Sequence, residues 1–235
     1  MIKAVLFDLD GTLLPMDNDE FVKYYLDLLC KKLAPYGYES KELVDAVWAG
    51  TEAMVKNNGI QMNDVVFWQT FEGKLGTRVR DAYHVFDEFY RCEFNQAIAV
   101  CKPNPAYGKL IKDLKKKGYR IVLATNPLFP RTATENRMRW AGLDVSDFEL
   151  YTTYEMIGFS KPNPEYYKEI LRRIEVSADE AIMIGNDVTE DMIAETIGMQ
   201  VYLLTDYLIN RRNVDISGYP HGDIEGIRKI LTGKP

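Results

Sequence analysis

Short apolar runs that alternate with helical patterns are the feature of this sequence that most limits its possible folds. Five runs rich in β-branched residues lie at 4–7, 119–124, 148–153, 181–184 and 200–204. Near-continuous hydrophobicity in runs this short is typical of strands buried on both faces of a parallel sheet. Helical patterns accompany the last four runs, at 106–117, 131–141, 164–174 and 189–197. The alternation predicts an open α/β fold.

The stretch between the first and second runs departs from this alternation. It contains helical patterns but no strand pattern, at 19–33, 40–56, 64–75 and 78–94. Ser40 is the predicted N-cap of the second helix. We interpret the stretch as a second, smaller domain inserted after the first strand. The sequence therefore predicts a three-layer, Rossmann-like parallel sheet core at 1–14 and 103–235, with an inserted α-helical cap domain at 15–102.

The inserted stretch is rich in aromatic residues. They are Tyr24, Tyr25, Trp48, Phe67, Trp68, Phe71, Phe86, Phe89 and Tyr90. Helical spacing accounts for most of them, so we predict that they form the insertion's own core rather than an aromatic ligand site.

The charge balance bears on possible partners. The chain carries 35 acidic and 29 basic side chains, which gives a net charge of -6. This balance disfavours a nucleic acid partner, because nucleic acids are held through their phosphates by basic surfaces. An acidic protein that handles an anionic substrate would need a cation, or local basic groups, to offset its own charge.

The cysteine and histidine content argues against several kinds of chemistry. Cys30, Cys92 and Cys101 are odd in number and lack CxxC spacing, so neither a disulfide framework nor a zinc site is predicted. A reducing, cytoplasmic location is therefore expected. No apolar stretch approaches the roughly 18 residues of a membrane span, so no membrane association is expected. His84 and His221 are the only histidines, so catalytic proton transfer is expected to fall to carboxylates.

Polar side chains stand at the ends of four predicted strands. Asp8 and Asp10 end the first strand, Thr125 and Asn126 the second and Asp187 the fourth, while Lys161 lies in the loop after the third. Ligands of open parallel sheets bind beyond the carboxyl ends of the strands. We therefore predict that these side chains meet at one edge of the sheet.

The two acids of the first strand predict a metal site. Asp8 and Asp10 lie two positions apart, so on a straight strand they would share a face and repel each other. A Mg²⁺ ion bound by Asp8, Asp10 and Asp187, together with carbonyl and water oxygens, would relieve that repulsion. Such an ion would also offset the negative charge of an acidic protein that binds an anionic substrate.

Phosphate binding is predicted for Thr125, Asn126 and Lys161, through hydrogen bonds and positive charge. A second lysine competes for this role, because Lys102 and Lys161 both begin the sequence Lys-Pro-Asn-Pro, which enters a helix through proline. Lys161 is favoured because it follows the third strand. Lys102 lies where the insertion rejoins the sheet.

These residues resemble four sequence motifs of the haloacid dehalogenase superfamily, in order and with plausible spacing. The matching segments are 8–13, Thr125-Asn126, Lys161-Pro162, and 185–187 with Asp191. The resemblance extends to about residue 206, and the helical insertion is similar to the cap that many members carry. It implies that Asp8 is the nucleophile that becomes an aspartyl-phosphate and that Asp10 is the general acid and base. It also implies phosphoryl binding by Thr125 and Lys161, and Mg²⁺ binding by acids of the last motif.

The last motif departs from its commonest form. Asn186 stands where aspartate is usual, and Asp187 follows it, so we assign Asp187 to the metal. Asp191, about one helical turn further on, is predicted to orient Lys161 or a metal-bound water.

The sequence thus predicts a magnesium-dependent phosphatase that hydrolyses a small phosphorylated metabolite through an aspartyl-phosphate. A sugar phosphomutase of the same superfamily is an open alternative, because it shares every motif. A receiver-like signalling module or a partner-binding module is less favoured, because receivers carry their phosphorylated aspartate after the third strand. A dehalogenase is disfavoured, because such members lack the acid found here at Asp10.

Overall fold

The computed structural model describes residues 1–233, and a six-stranded sheet forms the centre of this part of the chain. The strands are β1 (Ala4–Phe7), β2 (Arg120–Leu123), β3 (Leu150–Tyr151), β4 (Ala181–Gly185), β5 (Gln200–Leu204) and β6 (His221–Gly222). They lie in the order β3-β2-β1-β4-β5-β6, and every neighbouring pair is parallel. The predicted α/β class is confirmed, and strand order reverses at β1.

Eight α-helices surround this sheet within residues 1–233. Four lie between β1 and β2: α1 (Asn18–Leu33), α2 (Ser40–Val55), α3 (Asn63–Leu75) and α4 (Tyr83–Arg91). The others are α5 (Pro105–Lys116), α6 (Arg131–Trp140), α7 (Pro164–Arg173) and α8 (Ile224–Thr232). None of these helices is both long and apolar enough to cross a lipid bilayer.

The predicted helix at 189–197 is wrong. Only Met192–Ile197 form a helical turn there, and it is a 3₁₀ helix. The Asp187 carboxylate accepts hydrogen bonds from the N–H groups of Thr189 and Glu190. These two bonds have the pattern of a helix N-cap, and the Asp191 N–H donates to the Asp187 carbonyl, so a single turn forms before the 3₁₀ helix.

Other boundaries also differ from the sequence prediction. Ser40 is not an N-cap but the first residue of α2, whose start has no side-chain cap. The predicted helix at 78–94 divides into a 3₁₀ helix at Thr77–Ala82 followed by α4. The third strand has two residues rather than six, and β6 and α8 were not predicted. β3 and β6 are the two edge strands of the sheet and neither is buried, so their apolar pattern is weak.

The two faces of the sheet are both covered, as a three-layer fold requires. Val5 and Phe7 of β1 lie in one apolar cluster with side chains of α5 and of all four insertion helices. Ala4 and Leu6 point the other way, into a cluster that includes α7. This alternation follows from the two-residue period of a strand.

The aromatic residues of the insertion do not form a separate core. Phe71, Phe86 and Phe89 are buried, as predicted, but they belong to the cluster that also covers one face of the sheet. Trp48 is 51% exposed and is not a core residue. Helical spacing identified the inward positions of these helices without showing what they would pack against.

The two chain segments that join the insertion to the sheet lie side by side. The Lys102 N–H donates to the Pro15 carbonyl at 2.7 Å, and Met16 forms an antiparallel bridge with Cys101. The predicted boundaries at 15 and 102 fall at this pair of segments. The division into core and cap domains stays a prediction.

A buried amide joins the insertion to the loops of the core. Asn63, at the start of α3, is fully buried, and its Nδ2 donates to Ser160 Oγ at 3.0 Å and to the Pro127 carbonyl at 3.3 Å. Its Oδ1 accepts from Asn57 Nδ2 at 2.9 Å, and its N–H donates to the Ile157 carbonyl at 3.1 Å. The contact therefore crosses between α3 and two loops at the edge of the sheet.

Replacement of this amide should destabilise the fold. Asn63→Ala would leave several buried polar groups without partners, so we expect a loss of about 1–3 kcal/mol in the free energy of unfolding. Urea titration followed by circular dichroism measures this change. Gln61→Ala is the matched control, because it removes an exposed amide nearby and should change stability by less than about 0.5 kcal/mol. Equal effects of the two substitutions would contradict a stabilising role for the Asn63 amide.

Candidate active site

A tight turn at the end of β1 presents the first two acids. The Asp8 N–H still donates to the Ile184 carbonyl of β4, at 2.9 Å, and the Gly11 N–H then donates to the Leu14 carbonyl. Gly11 has a φ of 78° and a Cβ there would lie 2.3 Å from the Asn186 side chain. Only glycine combines this left-handed backbone with so close an approach. The turn therefore holds the first and last motifs together.

Lys161 is enclosed between two carboxylates. Its Nζ donates to Asp8 Oδ1 at 2.9 Å and to Asp191 Oδ1 at 2.6 Å. Lys161 and Asp191 are each 1% exposed. Burial favours the neutral amine, but Asp191 and Asp8 outweigh it and hold the pKa of Lys161 well above its usual value. Lys161 is therefore a fixed positive charge, and Asp191 is the partner that orients it.

The charge at Asp8 is only partly compensated. The pKa of Asp8 is raised to about 7, mainly by burial and also by the negative charges of Asp191 and Asp10, while Lys161 acts in the opposite direction. One lysine thus faces several carboxylates. An additional cation would lower the free energy of the ionised site.

Asp10 has a partner that the sequence did not reveal. Arg137, on α6, is completely buried and its Nη1 donates to Asp10 Oδ2. The guanidinium carbon lies 4.3 Å from the centre of the Phe129 ring. Burial raises the pKa of Asp10, although Arg137 and Lys161 act to lower it. Oδ1 of Asp10 is buried and has no hydrogen-bond partner within residues 1–233.

The turn after β4 brings the last acids to the same place. Asp187 Oδ1 is held by two backbone N–H groups, and the Asp187 N–H donates to Asp191 Oδ2 at 2.9 Å. A Cβ at Gly185 would lie 2.0 Å from that Asp191 oxygen, so glycine there lets Asp191 reach under the turn. Asn186, in the usual aspartate position, accepts from the Thr12 hydroxyl and donates to the Tyr207 carbonyl. Both hydrogen bonds hold the turn, and Asn186 also lines a cavity at the carboxyl edge of the sheet.

The end of β2 supplies the remaining predicted residues. Thr125 lines the same cavity at the carboxyl edge of the sheet. Its carbonyl accepts hydrogen bonds from the hydroxyls of Thr152 and Tyr166. Asn126 accepts from the Lys161 N–H at 3.1 Å and donates to Glu190 at 2.9 Å. Because its side chain is engaged in this way, Asn126 holds the Lys161 loop in place. A direct phosphate contact from its amide would require it to change partners.

Glu190 is a second site residue that sequence analysis missed. It lines the same cavity, and its pKa is raised to about 8, mainly by burial, with Lys161 acting to lower it and Asp187 and Asp191 acting to raise it. Its position between two assigned acids was the available signal. Arg137 gave no such signal, because a single arginine on a helix is usually solvated.

One cavity of about 620 Å³ collects these groups at the carboxyl edge of the sheet. Its walls include Asp8, Asp10, Thr125, Asn126, Asp187 and Asp191. Lys161 lies behind the wall, beneath Asp8. The space is ample for a phosphate group and an attached organic group. We call it the catalytic pocket.

The oxygen ligands of the catalytic pocket suit a hard divalent cation. No three His, Cys, Asp or Glu side chains among residues 1–233 converge closely enough to enclose a metal ion by themselves. Mg²⁺ does not require such a cage, because it binds one or two carboxylates and keeps waters or phosphate oxygens as its other ligands. The uncompensated carboxylates of the pocket are therefore compatible with Mg²⁺.

Comparison with known proteins gives the family. The sequence model of the haloacid dehalogenase-like hydrolase family matches residues 2–194. The chain belongs to this family. The resemblance drawn from the motifs is therefore confirmed, and the chain is a hydrolase.

Individual relatives match two thirds or more of the chain at low identity. A glyceraldehyde 3-phosphate phosphatase from Methanothermobacter thermautotrophicus is 24% identical, over 98% of this chain and 100% of the relative. A sesquiterpene phosphatase from Aspergillus oryzae is 27% identical, over 67% of this chain and 82% of its own. The crystal structure of a phosphatase of this family from Thermococcus onnurineus covers 99% of both chains with a TM-score of 0.61 and 20% identity, which supports the fold.

Proposed function

We propose that this hydrolase is a magnesium-dependent phosphatase that acts on a small phosphorylated metabolite through an aspartyl-phosphate at Asp8. The observation that carries the proposal is the buried Asp8–Lys161–Asp191 arrangement, with Asp10 in the wall of the same pocket. The names of the relatives support phosphate ester hydrolysis.

In the first step, Oδ2 of Asp8, which Lys161 does not engage, attacks the phosphorus of the substrate. A P–O bond forms at Asp8 as the ester P–O bond breaks. The departing alkoxide takes the proton of the protonated Asp10 carboxyl. Burial supports this role, because it raises the pKa of Asp10 and so favours the protonated form before attack.

In the second step, water attacks the phosphorus of the aspartyl-phosphate. Asp10 is now a carboxylate and accepts a proton from this water. The Asp8–phosphorus bond breaks, and inorganic phosphate leaves with Asp8 restored as a carboxylate. Arg137 holds one oxygen of Asp10 throughout, which keeps this carboxyl group in place beside Asp8.

The positive groups stabilise the charge of the transferring phosphoryl group. Lys161 is pre-oriented by Asp191 and needs little rearrangement during the reaction. Asp8 and Asp187 would hold Mg²⁺, with a backbone or carboxyl oxygen of Asp10. When bound, the ion neutralises phosphate charge and orients the phosphoryl group. Thr125 would donate its hydroxyl to a phosphate oxygen.

Removal of the divalent cation should abolish activity. Addition of EDTA is expected to reduce phosphate release from a generic aryl phosphate by about 100-fold or more, because the phosphate dianion would then meet several uncompensated carboxylates. Excess Mg²⁺ should restore the rate, whereas excess Ca²⁺, with its larger and less regular coordination, should not. Full activity in EDTA would contradict the metal assignment.

A sugar phosphomutase uses the same catalytic groups and differs in its products. Incubation with glucose 1-phosphate separates the two functions. A phosphatase releases inorganic phosphate, whereas a mutase forms glucose 6-phosphate without net phosphate release. We expect no accumulation of a sugar phosphate isomer.

A further inference from the structure

A second cavity, of about 100 Å³, lies against the catalytic pocket. The four insertion helices and the loop after β2 form its walls, and Tyr25, Thr51, Phe67 and Tyr90 are among its lining residues. We call it the aromatic cavity. Five residues line both spaces: Val22, Leu26, Trp48, Leu128 and Phe129. The two cavities therefore share a wall between the insertion and the sheet.

The aromatic cavity differs from the catalytic pocket in its chemistry. Within the described part of the chain, its lining contains no Asp, Glu, Lys, Arg or His. Its polar atoms are the Thr51 hydroxyl, tyrosine hydroxyls and tryptophan N–H groups, and the hydroxyls of Tyr25 and Tyr90 lie 3.4 Å from each other. A ligand with several hydroxyl groups would lose water contacts on entering and find few replacements.

We propose that the aromatic cavity binds the organic group of the substrate and selects an aromatic ring or a short branched hydrocarbon. The proposal rests on the phosphatase function and specifies its substrate class. The cavity is of the same order as the roughly 150 Å³ apolar cavity that stays dry and holds a benzene ring, and it shares a wall with the larger catalytic pocket. An apolar group would gain burial there without leaving polar atoms unpaired.

The position of Phe129 connects this cavity to the chemistry. Phe129 lines both cavities and stacks on the Arg137 guanidinium, which in turn binds Asp10. A hydrocarbon in the aromatic cavity would therefore lie beside Arg137 and Asp10, and Asp10 is the residue that protonates the leaving oxygen. The proposed arrangement therefore has the phosphate at Asp8, the leaving oxygen at Asp10 and the hydrocarbon beyond Phe129.

The competing location is the polar mouth of the catalytic pocket. Lys23 and Arg211 line it, and Arg211 pairs with Asp19. A sugar or glycerol group would find hydrogen-bond partners there. The experiment must therefore compare an apolar ester with a polar one, and substitutions in the cavity with a substitution at the mouth.

The test uses benzyl phosphate and glycerol 2-phosphate with the full chain and Mg²⁺. The ratio of their kcat/KM values is the readout, because the folded fraction of each preparation cancels. We expect the wild type to favour benzyl phosphate by about 10-fold or more. Thr51→Phe, which fills the cavity, should lower the ratio about 10- to 100-fold. Thr51→Val, of nearly equal volume, should change it less than about twofold, and Lys23→Ala should not lower it.

A binding measurement separates failure of this inference from failure of the phosphatase assignment. Benzylphosphonate cannot be hydrolysed, and Trp48 and Trp68 line the cavity, so its entry should change tryptophan fluorescence in wild type and Thr51→Val but not in Thr51→Phe. If no ester is hydrolysed, the phosphatase function is wrong. The fluorescence changes would still show whether the aromatic cavity binds the benzyl group. Preference for glycerol 2-phosphate, a ratio unaffected by Thr51→Phe, or equal fluorescence changes in all three proteins would overturn the inference.

Discussion

Asp8→Asn is expected to reduce phosphate release from an aryl phosphate by about 10⁴-fold or more. The carboxylate is the proposed nucleophile, and an amide in its place cannot form the phosphoryl-enzyme. The fold should survive. Burial raises the pKa of Asp8 from its usual 3.8 to about 7, so its ionisation opposes folding increasingly as the pH rises from about 4 to about 7. Asparagine removes this unfavourable charge, and the unfolding temperature at pH 7 should be equal or higher.

The measurement combines phosphate release with thermal unfolding followed by circular dichroism. Asp206→Asn is the matched control, because it makes the same chemical change at an exposed position near the same edge of the sheet. It should retain activity within about twofold. Mass spectrometry of rapidly quenched wild type should show a phosphoryl adduct that Asp8→Asn lacks. Retained turnover in Asp8→Asn would refute the nucleophile assignment.

Lys161→Met should lose both activity and stability. It removes the only side-chain cation that contacts Asp8 and Asp191 among residues 1–233, and so leaves two buried carboxylates unpaired. Breaking a buried ion pair at one partner costs about 3–5 kcal/mol. The same change removes a fixed positive charge from the phosphoryl site, so we expect a loss of about 10³-fold in kcat. Urea unfolding and steady-state kinetics measure the two effects.

The sequence provides a matched control for this lysine. Lys102 begins the other copy of Lys-Pro-Asn-Pro but is exposed, so Lys102→Met should leave both activity and stability nearly unchanged. Adding Asp191→Asn to Lys161→Met should recover part of the lost stability, since one unpaired carboxylate is removed, but it should recover no activity. Additive losses in the double variant would show that the two residues do not interact.

The first and last motifs could be interpreted from sequence because they are local. Asp8 and Asp10 follow a buried strand directly, and Asp187 and Asp191 follow another. In a parallel sheet, every strand delivers its carboxyl end to the same edge. The prediction that their side chains meet needed only the order of strands and turns. The choice of Lys161 over Lys102 also followed from this rule.

Contacts between elements that are far apart in the chain could not be predicted from these local patterns. Arg137 lies on α6 in a sequence that indicates only a helix, and nothing local shows that it reaches Asp10. The side chain of Asn126 suggested phosphate binding, whereas the structure engages it with Lys161 and Glu190. In both cases the partner is set by packing of segments far apart in the chain.

The sequence by itself determined the α/β class, the helical insertion after β1 and the set of acids at the edge of the sheet. These depend on apolar periodicity and on the direction of strands, which are local properties of the chain. The tertiary structure alone decided which carboxylate each cation binds, how the insertion shares its core with the sheet, and that an apolar cavity adjoins the catalytic pocket. Those features arise where non-adjacent elements bury their surfaces against each other, and periodicity does not specify which surfaces meet.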